Sequence, residues 1–291
     1  MIDLVLHGLL IGGVYSLIAL RIVLIYKSTG VFNFAQGQFV AICAFFCWSC
    51  WAWMHMPIWL AVMATLAFGA LLGLIVDRTM FRPVIGQPLI ALIMITIALS
   101  TLLDGILTGV WRGCPRAYPE FLPSGAIELA GSSLAIELLL LFVVSLGLFG
   151  VFFYFFRSSQ MGLNMRAVAE DHQSAQGVGI DVKRVFSNTW VLSAVMAAVA
   201  GILLGSYLGA APGLVSLAVT AFAVAILGGL DSVPGAIVGG LIVGVAENVG
   251  SFYLDPIAGG ETRLIIPLAL MIIVMFFRPY GLFGLKRIER I

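Results

Sequence analysis

The chain has 291 residues, of which 62% are hydrophobic and 10% charged, with 15 Lys and Arg against 14 Asp and Glu. A water-soluble domain carries about a quarter charged residues, so this composition excludes a soluble enzyme and a secreted disulfide scaffold, and a net charge of +1 lends nothing to nucleic-acid binding. The apolar composition continues from Leu4 to Phe277, which makes the bilayer the solvent for nearly all of the chain.

A helix needs about 20 apolar residues to cross a hydrocarbon core about 30 Å thick. On that basis nine spans are expected, at residues 4–25, 31–53, 58–76, 89–110, 136–156, 185–210, 215–230, 236–254 and 264–277. The fold expected is therefore all-α, a polytopic membrane helix bundle of eight to nine spans, some short or broken. The uncertain one is 215–230, which at sixteen residues either crosses or re-enters. The first span begins with Asp3 rather than a basic segment and is long enough to cross, so it is expected as a retained helix and not a signal peptide. No domain boundary is visible, so residues 1–291 are expected to form a single transmembrane domain.

Direction follows from Lys and Arg, which gather on the cytoplasmic side of short loops. With nine spans and the N-terminus outside, eleven of the fifteen basic residues fall on the cytoplasmic side, including Lys27, Arg78, Arg82, Arg157, Arg166, Lys183, Arg184 and the tail from Arg278. The C-terminus is then cytoplasmic.

Two connections are long. Residues 111–135 are rich in Pro and Gly. Residues 157–184 carry a cluster of charges, and within them 163–176 reads as a short cytoplasmic helix. It has an Arg166/Glu170 pair at i,i+4, alanines at 167, 169 and 175, Gly177 as its C′ residue, and Asp181 placed to cap the next span. Such a helix suits a cleft on a partner, or serves as a solvated connector.

Thirty-three glycines include the four-residue pairs Gly8/Gly12, Gly69/Gly73, Gly205/Gly209, Gly235/Gly239 and Gly240/Gly244. That spacing lets helix backbones approach closely in lipid. The similarity between 8–12 and 240–244 also hints at an internal repeat. Polar groups inside spans are few, because a charge there is expensive unless it faces protein or water. Arg21 lies about 9 Å along a helix from Lys27, and its side chain either snorkels to the headgroups or is buried. Glu247 and Asn248 either bond between helices or line a cavity, while Asp104, Glu137 and His7 fall near the outer surface.

Cys43, Cys47 and Cys50 have the spacing of an iron–sulfur motif, but they share one face of an apolar span, where small-residue packing is the expectation. Cys114 stands alone in the outer connection. There is no Walker A sequence, no His/Glu metal pair and no complete dinucleotide fingerprint. No catalytic residue, metal or cofactor is expected, and the chain is expected to be no enzyme.

Four blocks carry a resemblance: residues 8–19 (GLLIGGVYSLIA), 26–37 (YKSTGVFNFAQG), 166–171 (RAVAED) with 179–181 (GID), and 227–235 (LGGLDSVPG) with 278–284 (RPYGLFG). Together they resemble the LivH-type permease of the bacterial branched-chain amino acid ABC transporters, over nearly the full length. The resemblance implies a multi-pass permease of the bacterial inner membrane. It would work with a second permease subunit in a heterodimer, two ATP-binding subunits that hydrolyse ATP, and a periplasmic substrate-binding protein. It implies a coupling helix that seats on the ATPase, with Arg166, Ala167, Glu170, Asp171, Ala175 and Gly179 as its contacts. It places Asn33, Phe34 and Gln36 near the path, to which Arg21, Gln38, Glu247 and Asn248 are added as candidates. Two residues depart from the family pattern, Arg21 where glycine is usual and Gln38 where glutamate is common, and both bear on the substrate. Branched-chain amino acids or similar small amino or carboxylic acids are the expected cargo. Same-family permeases for urea or short amides are the near alternative, and an ion-coupled carrier or channel acting alone is the distant one.

Overall fold

The computed structural model describes residues 1–84, 87–118, 125–129, 132–260 and 262–284. In chain order the helices are α1 (Ile2–Thr29), α2 (Gln36–Ala52), α3 (Ile58–Val76), α4 (Leu89–Trp111), α5 (Ile136–Ser158), α6 (Gln160–Glu170), α7 (His172–Gly177), α8 (Val182–Leu208), α9 (Ser216–Gly228), α10 (Val233–Ala258) and α11 (Thr262–Phe277). Among the described residues six helical stretches are long and apolar enough to cross a bilayer, corresponding to α1, α3 with its continuation to Val84, α4, α5, α8 and α10. The expected all-helical membrane architecture holds.

Several boundaries differ from those expected, each for a local reason. α1 runs past residue 25 to Thr29 and ends in a left-handed Gly30 (φ +70°), whose N–H bonds the Tyr26 carbonyl at 2.8 Å. The next helix begins at Gln36 and not at residue 31, because the Asn33 side chain accepts from the Ala35 N–H at 3.0 Å and turns the backbone away from helix. The Pro/Gly-rich connection 111–135 contains an antiparallel hairpin, β1 (Ala126–Leu129) with β2 (Ser132–Ala135). Past α3 the helix widens into a π-helical turn, Asp77–Phe81, where buried Asp77 pairs with Arg82 at 3.0 Å. At thirteen residues α9 is about 20 Å long, less than the hydrocarbon thickness, and the 3₁₀ turn Pro212–Val215 leads into it.

The expected helix over 163–176 is two helices. Asp171 lies extended between α6 and α7 (φ −156°, ψ 118°), and its carboxylate accepts from the Ser174 N–H at 2.9 Å, an alternative to helix that short acidic side chains offer the backbone. Gly177 is the last helical residue of α7 rather than its C′ residue. Gly179 takes the left-handed conformation (φ +86°), with Gly179 N–H on the Gln176 carbonyl and Ile180 N–H on the Ala175 carbonyl, both 3.0 Å, the two bonds of a Schellman motif.

The chain divides into two compact units, one of residues 1–23, 123–151 and 219–291, the other of residues 24–122 and 152–218. In the first, α1 meets α10 at near-backbone distance: a Cβ on Gly12 would lie 2.6 Å from the Gly240 carbonyl oxygen, and one on Gly8 would lie 2.8 Å from that of Gly244. The two similar five-residue segments thus pack on each other. In the second, α3 lies along α8, with Gly69 over Ala194 and Ala198 and Gly73 over Trp190 and Ala194. Gly235 and Gly239 in turn close α10 onto Gly228. Of the expected pairs only Gly205/Gly209 is not a helix-packing pair, since Gly209 lies beyond the end of α8 with φ +79°.

Candidate functional site

In the first unit the polar groups of α1 and α10 meet. Tyr15 donates to Glu247 Oε1 at 2.9 Å, Ser16 donates to the Gly12 and Ile237 carbonyls, and Asn248 Nδ2 donates to the Leu4 carbonyl at 2.6 Å. Glu247 and Asn248 thus both bond between helices. Arg263, from α11, approaches Glu247 Oε1 at 3.9 Å, and Glu247 Oε2 is buried without a hydrogen bond among the described residues. Burying a carboxylate costs free energy unless donors surround it, so this half-satisfied group is a demanding polar site. Arg21 is buried at 1% exposure, which settles its two readings: the side chain sits inside the protein rather than snorkelling. Asp104 is exposed.

In the second unit the block 31–38 forms the turn and first helical residues of α2. Asn33, Gln36 and Gln38 are buried, while Phe34 is 45% exposed. Gly37 packs against the Val215 carbonyl and Ala218, where a Cβ would come within 2.7 Å of backbone oxygen. Cys43, Cys47 and Cys50 are buried free thiols, with Cys47 and Cys50 packed around Ala61 and Ile202, and Cys114 is exposed. Tyr118, in the connection after α4, donates to the Ala44 carbonyl at 2.6 Å, and burial beside these thiols pushes its phenol well above the usual range. Trp48 and Trp111 donate to the Ala117 carbonyl and Ser49 hydroxyl, which pins the same connection to α2.

The charged loop is anchored rather than free. Ser159 caps α6 by accepting from the Gly162 N–H at 2.9 Å, and Met165, Val168 and Ala175 are buried. Arg166 does not pair with Glu170. Its guanidinium donates to the Phe156 and Arg157 carbonyls at the end of α5 and lies 5.5 Å from the Phe156 ring centroid. Tertiary acceptors and an aromatic face outcompete an exposed i,i+4 partner worth only about 0.3–0.5 kcal/mol. Ala167 is half-buried, whereas Glu170 and Asp171 are exposed, as are Leu163 and Val178, two apolar residues that sequence patterning did not single out. Gly179 is the turn residue. Asp181 caps α8 by accepting from the Arg184 N–H at 3.1 Å, as its position before the span suggested. Asp181→Ala is expected to lower stability by about 1 kcal/mol, with Asp181→Ser close to the parent, measured by thermal unfolding in detergent.

The last two resemblance blocks, distant in sequence, are one structure. Leu282 N–H bonds the Leu227 carbonyl at 2.8 Å and Phe283 N–H bonds that of Gly228 at 3.1 Å, so the chain after α11 is laid onto the α9–α10 turn. Gly281 and Gly229, both left-handed (φ +75° and +105°), make the close approach possible.

Long apolar helices packed through glycine, with a few polar groups held between them, define the architecture of a multi-pass membrane protein. The family model described as "Branched-chain amino acid transport system / permease component" matches residues 4–275, and the chain belongs to that family of ABC transporter membrane proteins. It is 32% identical to the high-affinity branched-chain amino acid transport system permease protein BraD of Pseudomonas aeruginosa, over 98% of this chain and 96% of the relative. It is 31% identical to the corresponding permease protein LivH of Escherichia coli K12, with the same coverage of each chain. A probable branched-chain amino acid transport permease protein LivH of Methanocaldococcus jannaschii is 28% identical over 99% and 95%. Among solved structures the chain resembles PsaBC from Streptococcus pneumoniae in complex with Fab, with a TM-score of 0.52 at 12% identity, covering 94% of this chain and 92% of that one. That likeness concerns the fold.

Proposed function

We propose that this chain is the membrane permease subunit of an ATP-driven importer for branched-chain amino acids or similar small amino or carboxylic acids. It sits in the bacterial inner membrane as a single transmembrane domain of residues 1–291. The observation that carries the reading is the family match across residues 4–275, joined by relatives at about 30% identity over nearly the whole chain. It pairs with a second permease subunit, two ATP-binding subunits and a periplasmic substrate-binding protein. Nine segments cross, residues 215–230 among them, with the N-terminus outside and the C-terminus cytoplasmic. The sidedness of Lys and Arg supports this direction.

Residues 157–184 form the coupling loop. α6 and α7 present Arg166, Ala167, Glu170 and Asp171 toward the ATPase, with Ala175 and Gly179 setting their geometry. Their anchoring on α5 supports this role, because a helix that transmits force must be fixed to the membrane body. ATP binding draws the two coupling helices of the complex together, and the path between permease subunits opens to the loaded binding protein. Arg21, Asn33, Phe34, Gln36, Gln38, Glu247 and Asn248 are the residues of this chain assigned to that path. Liposomes carrying the complete complex are expected to import leucine only with ATP inside and binding protein outside, and liposomes carrying this chain alone to import none. Uptake by the chain alone would establish a carrier or channel instead.

A further inference from the structure

The end of α1 and the coupling loop meet on a single ring. Phe156, in the last turn of α5, is 6% exposed, with Lys27 Nζ 5.2 Å and the Arg166 guanidinium carbon 5.5 Å from its centroid. Lys27 belongs to the last turn of α1, three residues before the left-handed Gly30 and six before Asn33, so it stands directly ahead of the block assigned to the path. Arg166 belongs to α6, the helix assigned to ATPase docking. A ring face attracts a cation placed within about 6 Å of it, and more strongly where water is excluded.

The backbone makes the same junction stiff. Arg166 donates to the Phe156 and Arg157 carbonyls, so its side chain is held at the ring by two acceptors rather than swinging in solvent. Gly162, in the first turn of α6, lies against the Phe156 carbonyl and Cα so closely that any Cβ there would overlap them. Phe152 also stacks on Phe156, with ring centroids 5.9 Å apart. A displacement of α6 therefore cannot leave Phe156 in place, and a displacement of Phe156 changes the surroundings of Lys27.

The geometry points to Phe156 as the positioning residue that links the coupling helix to α1, with Lys27 and Arg166 as the cations it joins. This inference rests on the assignment of α6 to the ATPase. Phe156 touches neither ATP nor substrate. It passes the position of α6 to the turn at Gly30 that leads into Asn33, Phe34 and Gln36, and so ties hydrolysis to opening of the path.

The test uses the complete complex in liposomes, reading ATPase association, hydrolysis and leucine imported per ATP hydrolysed. Phe156→Leu keeps an apolar side chain but loses the ring face. It is expected to leave association intact and to lower the import-to-hydrolysis ratio about fivefold, the equivalent of one lost cation–ring contact of moderate strength. Phe156→Trp is expected to restore the ratio. Lys27→Met, which leaves the ring and its packing untouched, is expected to lower the ratio as well, and to lower it no further when combined with Phe156→Leu. An unchanged ratio in Phe156→Leu, failure of Phe156→Trp to rescue, or additive losses in the double variant would each overturn the link. Arg166→Glu separates this from the parent reading: if it leaves ATPase association unchanged, the docking assignment of α6 itself fails, whereas loss of association there with a normal ratio in Phe156→Leu removes only the link.

Discussion

Gly12→Val is expected to destabilise the chain by about 3 kcal/mol, at the upper end of the usual cost of overpacking. Overpacking is normally relieved when neighbouring side chains change rotamer, but here the nearest atoms are backbone. A Cβ at Gly12 would stand 2.6 Å from the Gly240 carbonyl oxygen and 2.9 Å from Leu241 Cα, neither of which can move without displacing α10. Ser16, one turn further along α1, already bonds the Ile237 carbonyl, so separating the helices to make room also strains that contact. Gly105→Ala, at a helical glycine with nothing within 4 Å of the added carbon, is the contrast. It is expected to be neutral or to stabilise by a fraction of the roughly 1 kcal/mol that separates the two residues in helices. Unfolding of the purified chain in mixed detergent micelles, followed by tryptophan fluorescence, distinguishes them, and equal midpoints for the two variants would contradict the close approach of α1 and α10.

Tyr15→Phe is expected to cost about 2 kcal/mol although it changes the volume of the side chain very little. Among the described residues Glu247 Oε2 is buried without a hydrogen bond, Arg263 reaches Oε1 only at 3.9 Å from a largely exposed position, and the Tyr15 hydroxyl at 2.9 Å is the near donor. Removing that donor leaves a buried acid with neither oxygen well satisfied. Glu247→Gln retains an oxygen that accepts from Tyr15 and is expected to cost less. On that background Tyr15→Phe should also cost less than in the parent, because a neutral amide has less to lose. The same unfolding measurement, run as a double-mutant cycle, reads the coupling directly. A Tyr15→Phe variant as stable as the parent would mean that the carboxyl finds its partners elsewhere.

Periodicity and spacing revealed what depends on one residue type repeating along one element. The glycine pairs at 8/12, 69/73, 235/239 and 240/244 mark close approaches because small side chains at one-turn intervals leave a groove whatever fills it. Asp181 was legible as a cap because its role is decided by its own backbone and the N–H three residues on. What the chain concealed was competition. Asp171 and Arg166 both fit a continuous helix with an ion pair, yet Asp171 bonds the Ser174 N–H and breaks the helix, and Arg166 finds carbonyls and a ring on α5. Two glycines two positions apart offered two places for the left-handed residue after α7, and only backbone bonding from Ile180 chose Gly179. Tyr15 and Glu247 are separated by most of the chain, so no local pattern joins them. The family blocks did not reveal that 227–235 and 278–284, distant in sequence, are bonded into one junction.

The lock between α1 and α10 has a consequence for biosynthesis. α1 is made well before α10, and along its best apolar window 89% of residues end up buried inside the protein. Its glycine face is closed by Gly240 and Gly244, which are synthesised more than two hundred residues later. At about 5–20 residues per second the first helix waits roughly 10–50 s before its partner exists. During that interval the Gly8–Gly12 groove has no native neighbour from α10, so α1 depends on the insertion machinery or on lipid to hold it in the membrane. Newly made chains are therefore most vulnerable to quality-control proteases after α1 has left the ribosome and before α10 has followed. A variant that weakens the α1–α10 contact should show itself as reduced abundance in cells at a smaller loss of stability than is needed to impair transport by the assembled complex.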